Sequence, residues 1–374
     1  MTVYSELGVR PIINAAATWT VLGGSLMPAE VLDAMREAAQ AFIDIHELQA
    51  AAGRELARLT NNEAAYVTCG AAAGIVLGVL AGRTRGDLAS IGRLLEGAGS
   101  ELPDEVIMHT AHRIPYDPAV RFAGARIRPI GNVLQTFDWE LEAAITPRTA
   151  AVLHVIGSFV APGALDLATV VKVAHAHDVP VIVDAAAQLP PVSSFWRFTR
   201  EVGADIAIFS GGKELRGPQS SGLIVGRARW IEAIRTNGAP HQRLARAMKV
   251  GKEEIAGLVV AVRRFVKIDH EQAWADLHER CTALADALSG LDGVKATVED
   301  TNAAGARIPR VMVALDPRAA GRNANSVAAA LREGDPRIAV RVGKGEYFHV
   351  QLDLLTPSEE VAVRSRLVEV LSAS

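Results

Sequence analysis

Short apolar runs alternate with helix-length amphipathic segments through the first two thirds of this chain, and that alternation constrains the fold more than any other feature. Strands are expected at Ala64–Thr68, Glu105–Met108, Arg126–Ile130, Ala150–Ile156, Val179–Asp184, Asp205–Phe209 and Ser221–Val225. Helices are expected at 28–43, 47–60, Gly70–Leu80 and Asp166–His177, and the segment 84–104 reads as a loop with one short helix. A strand followed by a helix, repeated, predicts a mostly parallel, doubly wound α/β sheet. Near residue 240 the pattern changes. Two long helices, Glu253–Ile268 and Gln272–Ser289, precede clustered strands at Val294–Val298, Arg310–Ala314, Ile338–Val342 and Tyr347–Leu354. Clustering without strict alternation predicts a smaller C-terminal α+β domain, so the expected division is 1–245 and 246–374.

Composition excludes several function classes. The 374 residues carry a formal net charge of −3, and the arginines are dispersed, so there is no basic footprint for nucleic acid. The longest apolar stretch, around 71–81, is too short and too glycine-rich to span a bilayer. The first residues have neither a basic nor an apolar signal region. Cys69 and Cys281 form no metal-binding spacing and no disulfide framework, which fits a reducing cytoplasm.

Two strand ends then carry chemistry. Val181-Ile182-Val183 ends in Asp184, and one helix and strand later Phe209-Ser210-Gly211-Gly212-Lys213 follows an apolar run. A lysine amine in a small-residue turn can hold an aldehyde cofactor as a Schiff base. A carboxylate on the neighbouring strand can keep that cofactor's pyridine nitrogen protonated, which is the pair that pyridoxal 5'-phosphate requires. The Gly211-Gly212 pair is expected to let the backbone approach the bound group. The strand-to-helix turn Cys69-Gly70-Ala71-Ala72 offers free amides for the phosphate, with Ser210 as an added hydroxyl donor. Gln188 is expected to donate to the cofactor's phenolic oxygen, and His112 to stack on its ring. His109 reads as structural and Cys69 as a small buried thiol. No residue cluster suggests a metal.

These residues resemble a family. Arg10-Pro11-Ile12-Ile13-Asn14-Ala15, the stretch 56–65, His112-Arg113-Ile114-Pro115, Val183-Asp184-Ala185-Ala186-Ala187-Gln188, Phe209 to Lys213 and Gly217-Pro218-Gln219 are similar to fold-type I pyridoxal phosphate enzymes. The group is the one holding bacterial selenocysteine synthase and D-glucosaminate-6-phosphate ammonia-lyase. Arg246 to Lys252 and Val340-Arg341-Val342-Gly343 extend the likeness over most of the chain. The resemblance implies a Schiff-base role for Lys213, a pyridine-nitrogen role for Asp184, ring stacking by His112, and a phosphate cradle at Gly70–Ala72 and Ser210. It implies a site built across a homodimer or larger homo-oligomer, where Gln219, Lys249 and Lys252 reach a neighbour's cofactor or substrate anion.

The resemblance is incomplete in places that bear on substrate. The chain begins almost at the shared Arg-Pro-Ile-Ile-Asn motif and is not basic, which disfavours a tRNA substrate. Asp353-Leu354-Leu355 stands where the selenium transferase tends to have Asp-Leu-Arg, and Ala16-Ala17 where relatives often place glycine. The expected activity is therefore a lyase acting on a small amino acid or amino sugar acid, giving a 2-oxo acid and ammonia. Arg113 or Arg341 would take the substrate carboxylate as a bidentate partner. Racemisation or epimerisation, aldol cleavage and a non-catalytic scaffold are the rivals.

Overall fold

The computed structural model describes residues 2–372. Its largest feature is a seven-stranded sheet formed by β2 (Ala64–Thr68), β3 (Glu105–His109), β4 (Arg126–Ile130), β5 (Thr149–Val155), β6 (Val181–Asp184), β7 (Ile206–Ser210) and β8 (Gly222–Gly226). The spatial order is β2-β8-β7-β6-β5-β3-β4, and β8 alone runs antiparallel to its neighbours. The chain passes from β3 outward to β4, then returns to place β5 on the other side of β3. That reversal is a topological switch point, where open α/β sheets form a crevice beyond the carboxyl ends of their strands. Apart from the edge strand β4, the strands are buried on both faces, which explains their continuous apolar runs.

The helix Ala71–Thr84 lies unusually close to this sheet because of three glycines spaced four apart. A Cβ on Gly74 would stand 2.8 Å from Ile208 Cγ2, and one on Gly82 would stand 2.3 Å from the Ala150 carbonyl oxygen. Residues four apart share one helix face, so the glycine row is the contact ridge. It fixes where the helix begins, at Gly70.

Contacts divide the chain into two compact units. One holds Ser25–Ile268 with Ala303–Gly305. The other holds the N-terminal residues to Gly24 with Asp269–Asn302 and the segment from Ala306 onward. This differs from a division at 245/246. The helix Lys252–Phe265 stays with the large unit, where Gly257 meets Met35 and Pro218. Residues near the N-terminus join the C-terminal unit because β1 (Ile13–Asn14) pairs in parallel with β11 (Ile338–Ala339). That unit also has an antiparallel sheet of β9 (Val294–Glu299), β10 (Arg310–Leu315), β12 (Arg341–Val342) and β13 (Tyr347–Val350), in the order β12-β13-β10-β9.

The expected strand Ile338–Val342 is thus two strands. Ile338 and Ala339 serve β1, and Arg341 and Val342 serve β13. The helices Asp138–Ala144 and Ala228–Asn237 were not evident from apolar periodicity. No helix among the described residues is long and apolar enough to cross a membrane.

The glycine ridge makes a graded prediction. Gly82→Ala forces a Cβ onto a carbonyl oxygen and should lower stability by about 1–3 kcal/mol. Gly78→Ala meets only the side chain of Ile182, whose Cδ1 is nearest at 3.1 Å. Its helix-propensity gain of roughly 1 kcal/mol should keep it near wild type. Denaturant melts of the two variants test this, and equal effects would argue against the ridge.

Candidate active site

The carboxyl edge of the large sheet gathers chemistry-bearing residues from five strands. Thr68 ends β2, His109 ends β3, His154 stands one residue before the end of β5, Asp184 ends β6, and Ser210 ends β7. Asp184 and Val155 are register partners across the β5/β6 ladder. The switch point between β3 and β5 therefore opens beside Asp184.

Asp184 is 7% exposed. Its Oδ1 accepts from the Ala186 N–H at 3.1 Å. Burial pushes its carboxyl pKa up, and the Ala186 N–H and the positive charge of Lys213 act against that shift. Lys213 is half-buried in the turn after β7. The turn is tied by Gly211 N–H to Ser221 O at 2.9 Å and Gly217 N–H to Gly211 O at 2.8 Å. Ser25 Oγ donates to the Gly212 carbonyl at 3.0 Å.

The glycine pair has a different reason from the one expected. A Cβ on Gly211 would stand 2.0 Å from Ser221 Oγ, and one on Gly212 would stand 2.7 Å from Gln219 Cα. The loop must fold tightly on itself, and that compaction sets where Lys213 emerges.

At the start of the helix Ala71–Thr84, Gly70 has φ 123° and gives no side-chain cap. The first amides lack intrahelical partners, and no acidic residue stands in the first turn. Gly222 packs beneath, where a Cβ would come within 2.5 Å of the Gly70 carbonyl carbon. Thr68 Oγ1 is buried with no hydrogen-bond partner. A 14-residue helix with uncapped amides and an orphaned hydroxyl beside it suits an anion. Burial raises the Cys69 thiol pKa, so Cys69 is no ready nucleophile.

Around the switch point three histidines meet, all buried. His112 and His154 stand edge to face at 4.4 Å and 86°. His109 lies 5.1 Å from His112 and 5.7 Å from His154. Burial pulls His109 and His112 down to about 4 and holds His154 well below the ordinary imidazole value, so all three are neutral near pH 7. His112 Nδ1 accepts the Val155 N–H at 3.2 Å. Sequence reasoning missed His154, because a lone histidine within Ala150-Ala151-Val152-Leu153-His154-Val155 reads as a strand residue.

Other expected site residues fall differently. Gln188 Nε2 donates to Ile156 O at 3.1 Å and Ala304 O at 2.9 Å. Both amide hydrogens are thus engaged, so Gln188 braces loops where donation to a cofactor oxygen was expected. Lys252 donates to Ala38 O at 2.7 Å and pairs with Glu253, which makes it a helix tie in place of an anion ligand. Lys249 and Gln219 are exposed. Arg113 is anchored through Nε to Asp117. In the C-terminal unit, Arg341 is half-buried, with its guanidinium 5.7 Å from the Trp19 ring centroid.

The sheet and its carboxyl edge define a class by architecture, the fold-type I α/β fold of solved pyridoxal phosphate enzymes. Residues 12–354 match the family model described as L-seryl-tRNA selenium transferase, SelA, and the chain belongs to that family. It is 36% identical over 344 residues to a D-glucosaminate-6-phosphate ammonia lyase of Salmonella typhimurium, covering 91% of this chain and 89% of that protein. A solved structure of D-glucosaminate-6-phosphate ammonia-lyase superposes with a TM-score of 0.86 at 34% identity, covering 99% of this chain and 98% of that one. It is also 36% identical over 378 residues to a 5'-C-glycyluridine monooxygenase-decarboxylase of a Streptomyces species, covering 98% and 92%.

The raised Asp184 pKa gives a signed prediction for the cofactor-free protein. A carboxyl that binds its proton more tightly when folded destabilises the fold above its folded pKa, and the penalty fades as pH falls toward the ordinary carboxylate value. Asp184→Asn keeps the acceptor for Ala186 N–H. It should therefore melt higher than wild type at neutral pH, with the gap closing in acid. A constant gap across pH would mean that the buried charge is not the cause.

Proposed function

We propose that this chain is a pyridoxal phosphate-dependent ammonia-lyase that converts a small amino acid or amino sugar acid to a 2-oxo acid and ammonia. The observation that carries this is the Asp184–Lys213 pair, a buried carboxylate coupled to a half-buried turn lysine on adjacent strands at the sheet's carboxyl edge. When bound, the cofactor supplies an aldehyde for amines and a protonated ring that takes up the electron pair left by a broken Cα bond. The residues fit it. Asp184 would hold the pyridine nitrogen, Lys213 the aldehyde carbon as a Schiff base, and the Gly70–Ala72 amides with Thr68 and Ser210 the phosphate.

Lys213 Nζ would serve as the base that takes the Cα proton of a bound substrate. The β-hydroxyl leaves as hydroxide, and hydrolysis of the resulting enamine exchanges its nitrogen for a water oxygen. The sum is one 2-oxo acid and one ammonia. The free Nη end of Arg113 takes the substrate carboxylate.

The ammonia-lyase relatives support this choice among Cα-bond reactions. The working unit is a homodimer or larger homo-oligomer in the cytoplasm, with Gln219 and Lys249 turned toward the neighbour. Phe42 and Ile43, exposed beside Asp44, support an oligomer.

The test is an absorbance spectrum with added pyridoxal phosphate, followed by a panel of D- and L-amino acids and amino sugar acids with ammonia and 2-oxo acid assayed. Wild type should show a near-visible band and release both products from one substrate. Lys213→Ala should lose the band and at least about 10³-fold in turnover. A band that survives Lys213→Ala would sink the lysine assignment. Carbon dioxide release with oxygen uptake, and no ammonia, would replace the lyase with the chemistry named for the Streptomyces relative.

A further inference from the structure

The three buried histidines at the switch point are more than the stacking residue alone requires. β3 and β5 pair in register only as far as Ile107 and Val152, while β3 continues along β4 to His109. Beyond Val152 the β5 amides lose β3 as a partner. His112 Nδ1 fills that gap by accepting the Val155 N–H. An Nδ1 that accepts has a free lone pair, so in the neutral ring the proton is on Nε2.

His154 and His109 then surround the ring. Both nitrogens of His109 and Nδ1 of His154 are buried without a hydrogen-bond partner. Isolated burial of that kind is unfavourable and calls for a reason. One ring nitrogen from each histidine lies within 4.8 Å of the other two, which raises the question of a metal ion. The Val155 contact argues against one. With Nδ1 engaged, Nε2 holds the proton and has no pair to give a cation. The near-perpendicular rings instead match the edge-to-face preference of aromatic pairs.

We propose that His154, backed by His109, is a positioning residue that holds His112 in one plane and in the single neutral tautomer with its proton on Nε2. The ring offered beside the Asp184 strand is then uncharged and carries a fixed donor. Its part in turnover rests on the pyridoxal phosphate reading, but the tautomer belongs to the chain alone and is measurable without cofactor.

The experiment is long-range proton–nitrogen correlation on the cofactor-free protein with nitrogen-15-labelled histidine near neutral pH, with the His112 signals assigned by their loss in His112→Phe. Wild type should show His112 as one neutral species protonated at Nε2. His154→Leu should let the His112 ring tilt out of its plane and off the Val155 N–H, so that the pattern averages between tautomers. In the loaded enzyme it should lower kcat roughly 10- to 100-fold, the scale of a misplaced catalytic group. KM and the Lys213-dependent absorbance should change little. His154→Phe, which keeps an aromatic edge, should restore both the pattern and kcat.

An unchanged His112 pattern in His154→Leu would overturn the proposal, as would an Nδ1-protonated wild type. So would stoichiometric zinc uptake by the cofactor-free protein that shifts all three histidines. Should His154→Leu fail to fold, a folded His154→Phe decides. Retained tautomer and turnover support the proposal, and their joint loss overturns it. If the tautomer results hold but no substrate yields ammonia, the lyase reading fails and the positioning stands.

Discussion

A carboxylate at the end of a central strand is the constraint around which this sheet edge is arranged. Asp184 sits between β5 and β7, out of water, with a backbone N–H on one oxygen. Leaving a buried charge without its partner costs about 3–5 kcal/mol. The fold answers from the adjacent strand. β7 pairs with β6 through Asp184 and Ile208, then turns at once through Gly211 and Gly212, so that Lys213 emerges where its charge is felt. The tightness of that turn is set by Ser221 and Gln219, and β8 runs antiparallel because the loop doubles back.

The same logic places the start of the helix Ala71–Thr84. β8 begins at Gly222, directly beneath Gly70, and its register with β2 runs from Gly222↔Thr68 to Gly226↔Ala64. A side chain at 222 would displace the turn, and side chains at 74 or 82 would lift the helix from the sheet. The distance between the helix start and the lysine turn is therefore a packing quantity. It is set by small residues that carry no chemistry of their own.

That division of labour explains what was legible in the sequence. The strands of the large sheet, Asp184 and Lys213 could be read because burial on both faces leaves long apolar runs, and because an acid or amine at the end of such a run stands out. Residues whose meaning comes from a distant partner could not be read. Gln188 looks like a donor until Ile156 and Ala304 take its amide, and Lys252 looks like an anion ligand until Ala38 takes its ammonium. His154 hides in an apolar run, because only the loss of β3 pairing beyond Val152 gives a nearby imidazole work to do. The split at Val340 was equally invisible, since it depends on Ile13 and Asn14, more than three hundred residues away.

The relatives show why the cofactor edge does not by itself select a reaction. Two proteins equally identical to this chain are named for different chemistry, one an ammonia lyase and the other a monooxygenase-decarboxylase. An electron sink serves any Cα bond that is aligned with it, so the roles proposed for Asp184, Lys213 and the helix-start turn do not choose between these two names. Selection then falls to the groups that orient the substrate's carboxylate and to the ring that fixes the cofactor plane. Arg113 is held by its Nε to Asp117, which is itself buried, and that leaves its Nη end with a defined direction. His112 is fixed by Val155 and His154. Both follow directly from the end of β3 and lie within five residues of His109. Under the proposed function, reaction choice therefore falls to one short segment at the switch point, while the acid ending β6 and the lysine after β7 supply chemistry that does not discriminate.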